Sequence, residues 1–307
     1  MTQTLTRDTL GGFMPAVVTP FTAGGEIVHD DFCAIVEHML SIGASGICVS
    51  GDNGESWSLS PDERATLTRL AVEQVRGRVP VIMGATAPGK AQTIAYAQIA
   101  RDSGASGILV MPQTYVMKAS RTELLHRFEA IAAATDIPVV LYNSPRRAVI
   151  DLSVDDIEAV MNVAPVVGIK ESSRDFFKHT HLLRRLGDRI AVMTGPSHFI
   201  LPSIALGARG FIATGPELLG TDAGRIMEIG RAQPGDEYVS LHNRLSLVYE
   251  MLMSMGTWPT ALKSALSRIG LPAGHPRDPL LPLGDTDLAR LDEFMRELTQ
   301  SPLSDRI

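Results

Sequence analysis

A lysine at the end of an apolar run has few reasons to be there. The chain has five lysines, Lys90, Lys118, Lys170, Lys178 and Lys263, and only Lys170 closes such a run, in Val166-Val-Gly-Ile-Lys170. Desolvation lowers an amine's pKa, so an amine placed there either pairs with a buried acid or stands largely neutral. The neutral amine is a nucleophile that condenses with ketones to form imines. The competing reading is a structural ion pair with Glu171 or Glu55. Adjacent strand residues point to opposite faces, which counts against Glu171. An imine-forming lysine also needs a proton shuttle. Tyr142 closes the preceding run, Ile137-Pro-Val-Val-Leu-Tyr142, and from a neighbouring strand about 4.8 Å away its hydroxyl can serve. Without Lys170, Tyr142 reads equally as a core tyrosine with its hydroxyl at the rim.

These residues need a scaffold, and a repeated phrase supplies one: GASGICV from Gly43, GASGILV from Gly104 and GARGFIA from Gly207. The first glycine can end a helix in the left-handed conformation, and the apolar residues then enter a sheet covered on both faces. Pro15–Thr19, Val79–Met83, Ile137–Tyr142, Ala164–Lys170 and Arg189–Met193 bring the candidate strands to eight. Helical stretches such as 62–75, 91–103, 121–134 and 154–163 lie between them. Eight buried strands alternating with helices predict a (β/α)8 TIM barrel. A doubly wound open sheet is the runner-up, but no G-x-G-x-x-G follows any strand. After Gly215 come helices without strands, near 223–232, 237–255, 259–269 and 286–299. The predicted division is a barrel of residues 1–220 and a C-terminal helical extension, 221–307, packed on it.

In such a barrel the chemistry belongs at the C-terminal ends of the strands. Within that set, Tyr142-Asn-Ser-Pro145, Val167-Gly-Ile-Lys-Glu-Ser172 and the Gly-x-x-Gly-Glu of Gly51 to Glu55 resemble the family of dihydrodipicolinate synthase and N-acetylneuraminate lyase. The resemblance runs from Val18-Thr-Pro-Phe21 through Gly207–Ile212 and into the tail motifs ALKSAL and RDPLLPL. It implies a class I lyase on a (β/α)8 barrel, commonly tetrameric, acting on pyruvate or another 2-oxo acid. Lys170 would form the imine and Tyr142 would move protons. Gly51, Asp52 and Asn53 would hold the 2-oxo acid carboxylate, with backbone N–H groups at a helix N-terminus, and Ile212 would bring its backbone to the substrate. Tyr115 would extend the proton relay across a subunit interface, in a loop that departs from the family's spacing. Arg147 would bind the carboxylate of a second substrate, or pair at the rim. No cofactor beyond the covalent imine and no metal are implied.

One departure stands out. Where the family carries hydroxylic residues between the two glycines, this chain has Asp52 and Asn53. Backbone contacts survive that change and a hydroxyl relay does not. A carboxylate at Asp52 repels a bound carboxylate unless turned away, protonated or paired; it can also accept a substrate hydrogen bond or act as a general base. The structural alternative has Asp52 capping the turn and Asn53 in a left-handed position. Glu55 is expected to brace the loop, and Ser60-Pro-Asp-Glu63 reads as a capping box starting the next helix.

The net charge of −6 and pI of about 5.8, with no basic block, exclude the electrostatic footprint of a nucleic-acid binder. No run approaches the ~20 apolar residues of a membrane span, and two cysteines, Cys33 and Cys48, make no disulfide framework. The expectation is a cytoplasmic homo-oligomer, tetramer or dimer, with a small 2-oxo acid as partner and neither nucleic acid nor membrane. The leading function is a Schiff-base aldolase, dehydratase or deaminase acting on pyruvate or a 3-deoxy-2-oxo sugar acid. The alternatives are dihydrodipicolinate synthase itself, condensing pyruvate with aspartate semialdehyde, and a non-catalytic 2-oxo acid sensor.

Overall fold

The computed structural model describes residues 4–300. Eight parallel strands, β1 (Gly12–Phe13), β2 (Ile47–Val49), β3 (Val81–Gly84), β4 (Gly107–Val110), β5 (Val139–Asn143), β6 (Val166–Glu171), β7 (Ala191–Thr194) and β8 (Gly210–Phe211), run in the order β1-β8-β7-β6-β5-β4-β3-β2. A parallel bridge from Ala16 to Cys48 closes the ring. It is flanked by hydrogen bonds from the Val17 N–H to the Cys48 carbonyl (3.0 Å) and from the Cys48 N–H to the Pro15 carbonyl (2.9 Å). The expected (β/α)8 barrel with C-terminal helices is therefore present.

Strand alternation sorts the core into two populations. Ile47, Val49, Val81, Met83, Ile108 and Val110 pack in the layer shared with the helices. Cys48, Ile82, Leu109, Val140, Ala191, Met193 and Ile212 form a separate cluster with Leu10 and Met14, which fills the barrel interior as side-chain layers do in this fold. The repeated Gly-Ala-x-Gly joints behave as read: Gly43, Gly104 and Gly207 take φ of +95°, +82° and +102°, values at which a side chain is strained.

The first strand is displaced from the expected 15–19 to Gly12–Phe13. Pro15 has no N–H to donate, so the chain pairs with β8 before the proline and with β2 around it. The helix Pro61–Val75 carries the capping box, with the Ser60 hydroxyl accepting from the Glu63 N–H and the Glu63 carboxylate accepting from the Ser60 N–H. The helix Asp222–Arg231 after β8 packs on β1 and on Ile200–Ala205; the expected boundary at 220/221 falls just ahead of it. The helix Asp236–Ser254 covers Ser197–Phe199, and Thr260–Arg268 packs on Asp285–Gln300. Among the described residues no helix is long and apolar enough to cross a membrane.

Candidate active site

β5 and β6 pair with Tyr142 opposite Lys170 and Asn143 opposite Glu171. The alternation that turns Lys170 and Tyr142 into the barrel turns their neighbours away. Glu171 is occupied outside, accepting from Asn143 Nδ2 at 2.9 Å and from the Ser173 N–H at 2.6 Å. Glu55 is also taken, in a buried ion pair with Lys263. Both partners proposed for a structural ion pair are thus engaged elsewhere, and among the described residues no carboxylate stands within ion-pair distance of Lys170. Burial holds the Lys170 pKa below the ordinary lysine value, with the nearby charge of Asp52 opposing the shift. Its Nζ lies 4.4 Å from the centre of the Tyr142 ring.

The loop after β2 is built by two left-handed residues, Ser50 (φ 51°) and Glu55 (φ 54°). Asn53 is not one of them, which corrects the expectation of a left-handed asparagine; its side chain accepts a hydrogen bond from Thr214 Oγ1 at 3.1 Å instead. The Glu55 N–H donates to the Asp52 carbonyl (3.1 Å) and Thr19 Oγ1 to the Gly54 carbonyl (2.9 Å). Among the described residues the N–H groups of Asp52 and Asn53 have no hydrogen-bond acceptor. Asn53 Nδ2, Ser50 Oγ and Thr194 Oγ1 are likewise buried without partners. Unsatisfied buried donors are costly unless a ligand satisfies them. Gly84 lets the loop settle on β3, because a Cβ there would meet the Ser50 carbonyl at 2.1 Å.

The Asp52 side chain does not cap the turn. Its Oδ2 accepts a hydrogen bond from Tyr142 Oη at 2.9 Å, and Arg147 Nε stands 3.5 Å from the same oxygen. Burial first, and the Asp52 charge second, push the Tyr142 pKa well above that of free tyrosine, so the phenol keeps its proton and donates it. Tyr142 and Arg147 separate two cavities. One, of about 310 Å³, contains Lys170, Ile212 and Thr214 and is roofed by Tyr249 and Trp258 from the C-terminal helical region. The other, of about 410 Å³, extends from Asp52 toward Arg64 and Tyr96. It holds no lysine; Lys170 lies in the smaller. Lys170, Tyr142, Asp52, Arg147 and Ile212 are thus brought together, with Gly51 and Asn53 in the adjoining loop. Tyr115 is not: it is 94 % exposed on the loop after β4.

Two further groups stand at the site: Glu217, which the strand-end rule picked out without a role, and Trp258, which the sequence reading missed. Glu217, buried after β8, accepts from the Gly215 N–H at 2.9 Å, and burial pushes its carboxyl up to about 7. Trp258 lies under the Arg147 guanidinium at 4.6 Å. Glu217 carried the signal of a position just past a strand end; Trp258 carried none, since its place depends on the tail folding back.

The protein is a (β/α)8 barrel whose sixth strand carries, one residue from its end, a buried lysine with no ion-pair partner among the described residues, beside a tyrosine, and its relatives place it among enzymes of the lyase class. The sequence matches the Dihydrodipicolinate synthetase family over residues 9–299, and the chain belongs to that family. A 4-hydroxy-tetrahydrodipicolinate synthase of Sorangium cellulosum is 37% identical over 293 residues, spanning 94% of this chain and 96% of the relative. A DapA-like lyase of Pyrobaculum arsenaticum is 31% identical over 298 residues, spanning 94% and 98%. Among solved structures, the dihydrodipicolinate synthase of Acinetobacter baumannii complexed with pyruvate superposes with a TM-score of 0.88 at 25% identity, covering 94% of this chain and 99% of that one.

Proposed function

We propose that the protein is a class I lyase whose Lys170 forms an imine with pyruvate or a related 3-deoxy-2-oxo sugar acid. The observation that carries the reading is a buried lysine, with no ion-pair partner among the described residues, facing Tyr142 in a cavity of about 310 Å³. The Lys170 amine adds to the C2 ketone, and the ketone oxygen takes up two protons and leaves as water. The iminium then withdraws the electron pair of the C3–C4 bond, or of a C3–H bond, to give the enamine. In the cleavage direction the C4 hydroxyl passes its proton to Tyr142 Oη while Tyr142 passes its own to Asp52. Asp52 so takes the place of the missing hydroxyls as the tyrosine's hydrogen-bond partner. The free N–H groups of Asp52 and Asn53 receive the substrate carboxylate, and the Ile212 backbone lies beside the bound acid. No metal or other cofactor enters these steps.

Dihydrodipicolinate synthase activity is the second reading, favoured by the name of the Sorangium relative. Asp52, Asn53 and the Asp52–Arg147 contact weigh against it, because the arginine meant for a second substrate's carboxylate already faces one. Localisation in the cytoplasm is supported by two free cysteines, which suit a reducing compartment. Assembly into a dimer or tetramer is supported by exposed Tyr115 and Met117 on one loop, where Tyr115 would meet a neighbouring subunit. We keep residues 1–220 as the barrel and 221–307 as the helical region. The deciding experiment is incubation with pyruvate, borohydride reduction and mass analysis. An adduct mapping to Lys170 and lost in Lys170→Ala is expected; no adduct with any of a panel of 2-oxo acids would sink the reading.

A further inference from the structure

The cavity over Lys170 is lined by Arg146, Arg147 and Arg174 and by no carboxylate-bearing side chain. The three arginines are not equivalent. Arg147 faces Asp52 and is stacked on Trp258. Arg146 and Arg174 have no carboxylate within ion-pair distance among the described residues. Arg174 is also held in place: its backbone is left-handed (φ 66°), uncommon for a residue with a side chain. Its Nη2 donates to Tyr249 Oη at 2.8 Å, and the Tyr249 ring packs on His198 with centroids 5.4 Å apart. An exposed guanidinium hydrogen-bonded to an aromatic hydroxyl, four residues beyond the lysine of the lyase reading and with donors to spare, offers a fork for an oxyanion.

Resting on the lyase reading, we propose that the natural substrate carries a second anionic group at the end distal to its 2-oxo acid function, and that Arg174 is the anchor for that group. The lyase reading gives the 2-oxo acid carboxylate to the N–H groups of the loop after β2, and the arginines that line the Lys170 cavity then remain for a different negative charge. Arg147 is compensated by Asp52, which leaves Arg174 as the positioned fork and Arg146 as an added positive charge. The chemical class is a small 2-oxo acid ending in a carboxylate or phosphoryl group, and at about 310 Å³ the cavity has the size of a small-metabolite site. Arg174 is a specificity-determining residue in this account and takes no part in bond making.

The test needs no knowledge of the true substrate. Imine formation with Lys170 is titrated by borohydride trapping, using 2-oxoglutarate, 2-oxopentanoate of the same chain length, and 2-oxo-4-phosphonobutanoate, each scaled to pyruvate in the same variant. At least tenfold tighter half-saturation is expected for an acid with a charged end than for 2-oxopentanoate. That ratio is expected to fall toward one in Arg174→Ala and to be partly kept in Arg174→Lys. The two charged acids separate carboxylate from phosphoryl recognition. Equal half-saturation of charged and neutral acids, or a preference that survives Arg174→Ala and disappears in Arg147→Ala, overturns the proposal. Failure of every acid to form an adduct, pyruvate included, overturns the lyase reading and this inference with it.

Discussion

Asp52 is the residue on which this site departs from its resemblance, and its contacts are with Tyr142 and Arg147. A carboxylate 2.9 Å from Tyr142 Oη gives the phenol a proton acceptor inside the same chain. Asp52→Asn keeps a group that accepts the tyrosine's hydrogen bond but cannot take its proton. The variant is expected to retain borohydride trapping of pyruvate while steady-state cleavage falls by about 10²-fold or more, the usual size of a lost acid–base contribution. Equal loss of trapping and turnover would instead mark Asp52 as scaffolding for the loop. Lys170 and Tyr142 were legible in the sequence because each closes an apolar run and register follows from strand alternation. The freedom of Lys170 was not, because it depends on Glu55 being claimed by a lysine far along the chain, and neither run records that.

Among the elements, strands and helices between the Gly-Ala-x-Gly joints were legible because their periodicities differ and glycine punctuates them. The β1 segment was not, since an apolar run interrupted by proline does not reveal which neighbour takes each hydrogen bond. The helix Phe176–Leu186 carries a further consequence. It buries His179, 1 % exposed and stacked on Phe176 at 5.9 Å, with neither ring nitrogen hydrogen-bonded. Burial lowers its pKa from 6.5 to about 4. Above pH 6.5 the ring is neutral in both the folded and unfolded chain and costs nothing. As pH falls from 6.5 toward 4, only the unfolded state takes the proton, and stability drops by about 3 kcal/mol. His179→Leu, of similar volume, is expected to flatten the decline of the urea midpoint between those pH values. An unchanged slope would assign the acid sensitivity to other groups.

Across the whole molecule, the helical tail completes the site. Lys263 pairs with Glu55 behind the Gly51–Glu55 loop, the Arg277 N–H donates to the same carboxylate at 2.8 Å, and Tyr249 and Trp258 position Arg174 and Arg147. Lys263→Met leaves Glu55 buried without its counter-charge, a change that costs about 3–5 kcal/mol where a buried pair is broken. It is expected to lower thermal stability and raise the half-saturation for pyruvate trapping together. Lowered stability with unaltered half-saturation would show that the loop holds its shape without the tail. Composition and periodicity announced that helices follow the barrel, while their hold on the second loop is a contact over 222 residues of sequence.

That span has a consequence for synthesis. At a ribosomal rate of about 5–20 residues per second, the brace for Glu55 emerges roughly 10–45 s after the glutamate itself. A nascent chain therefore carries Lys170 well before it carries the brace that finishes the Gly51–Glu55 loop, and under the proposed lyase reading one released early has the amine without the grip.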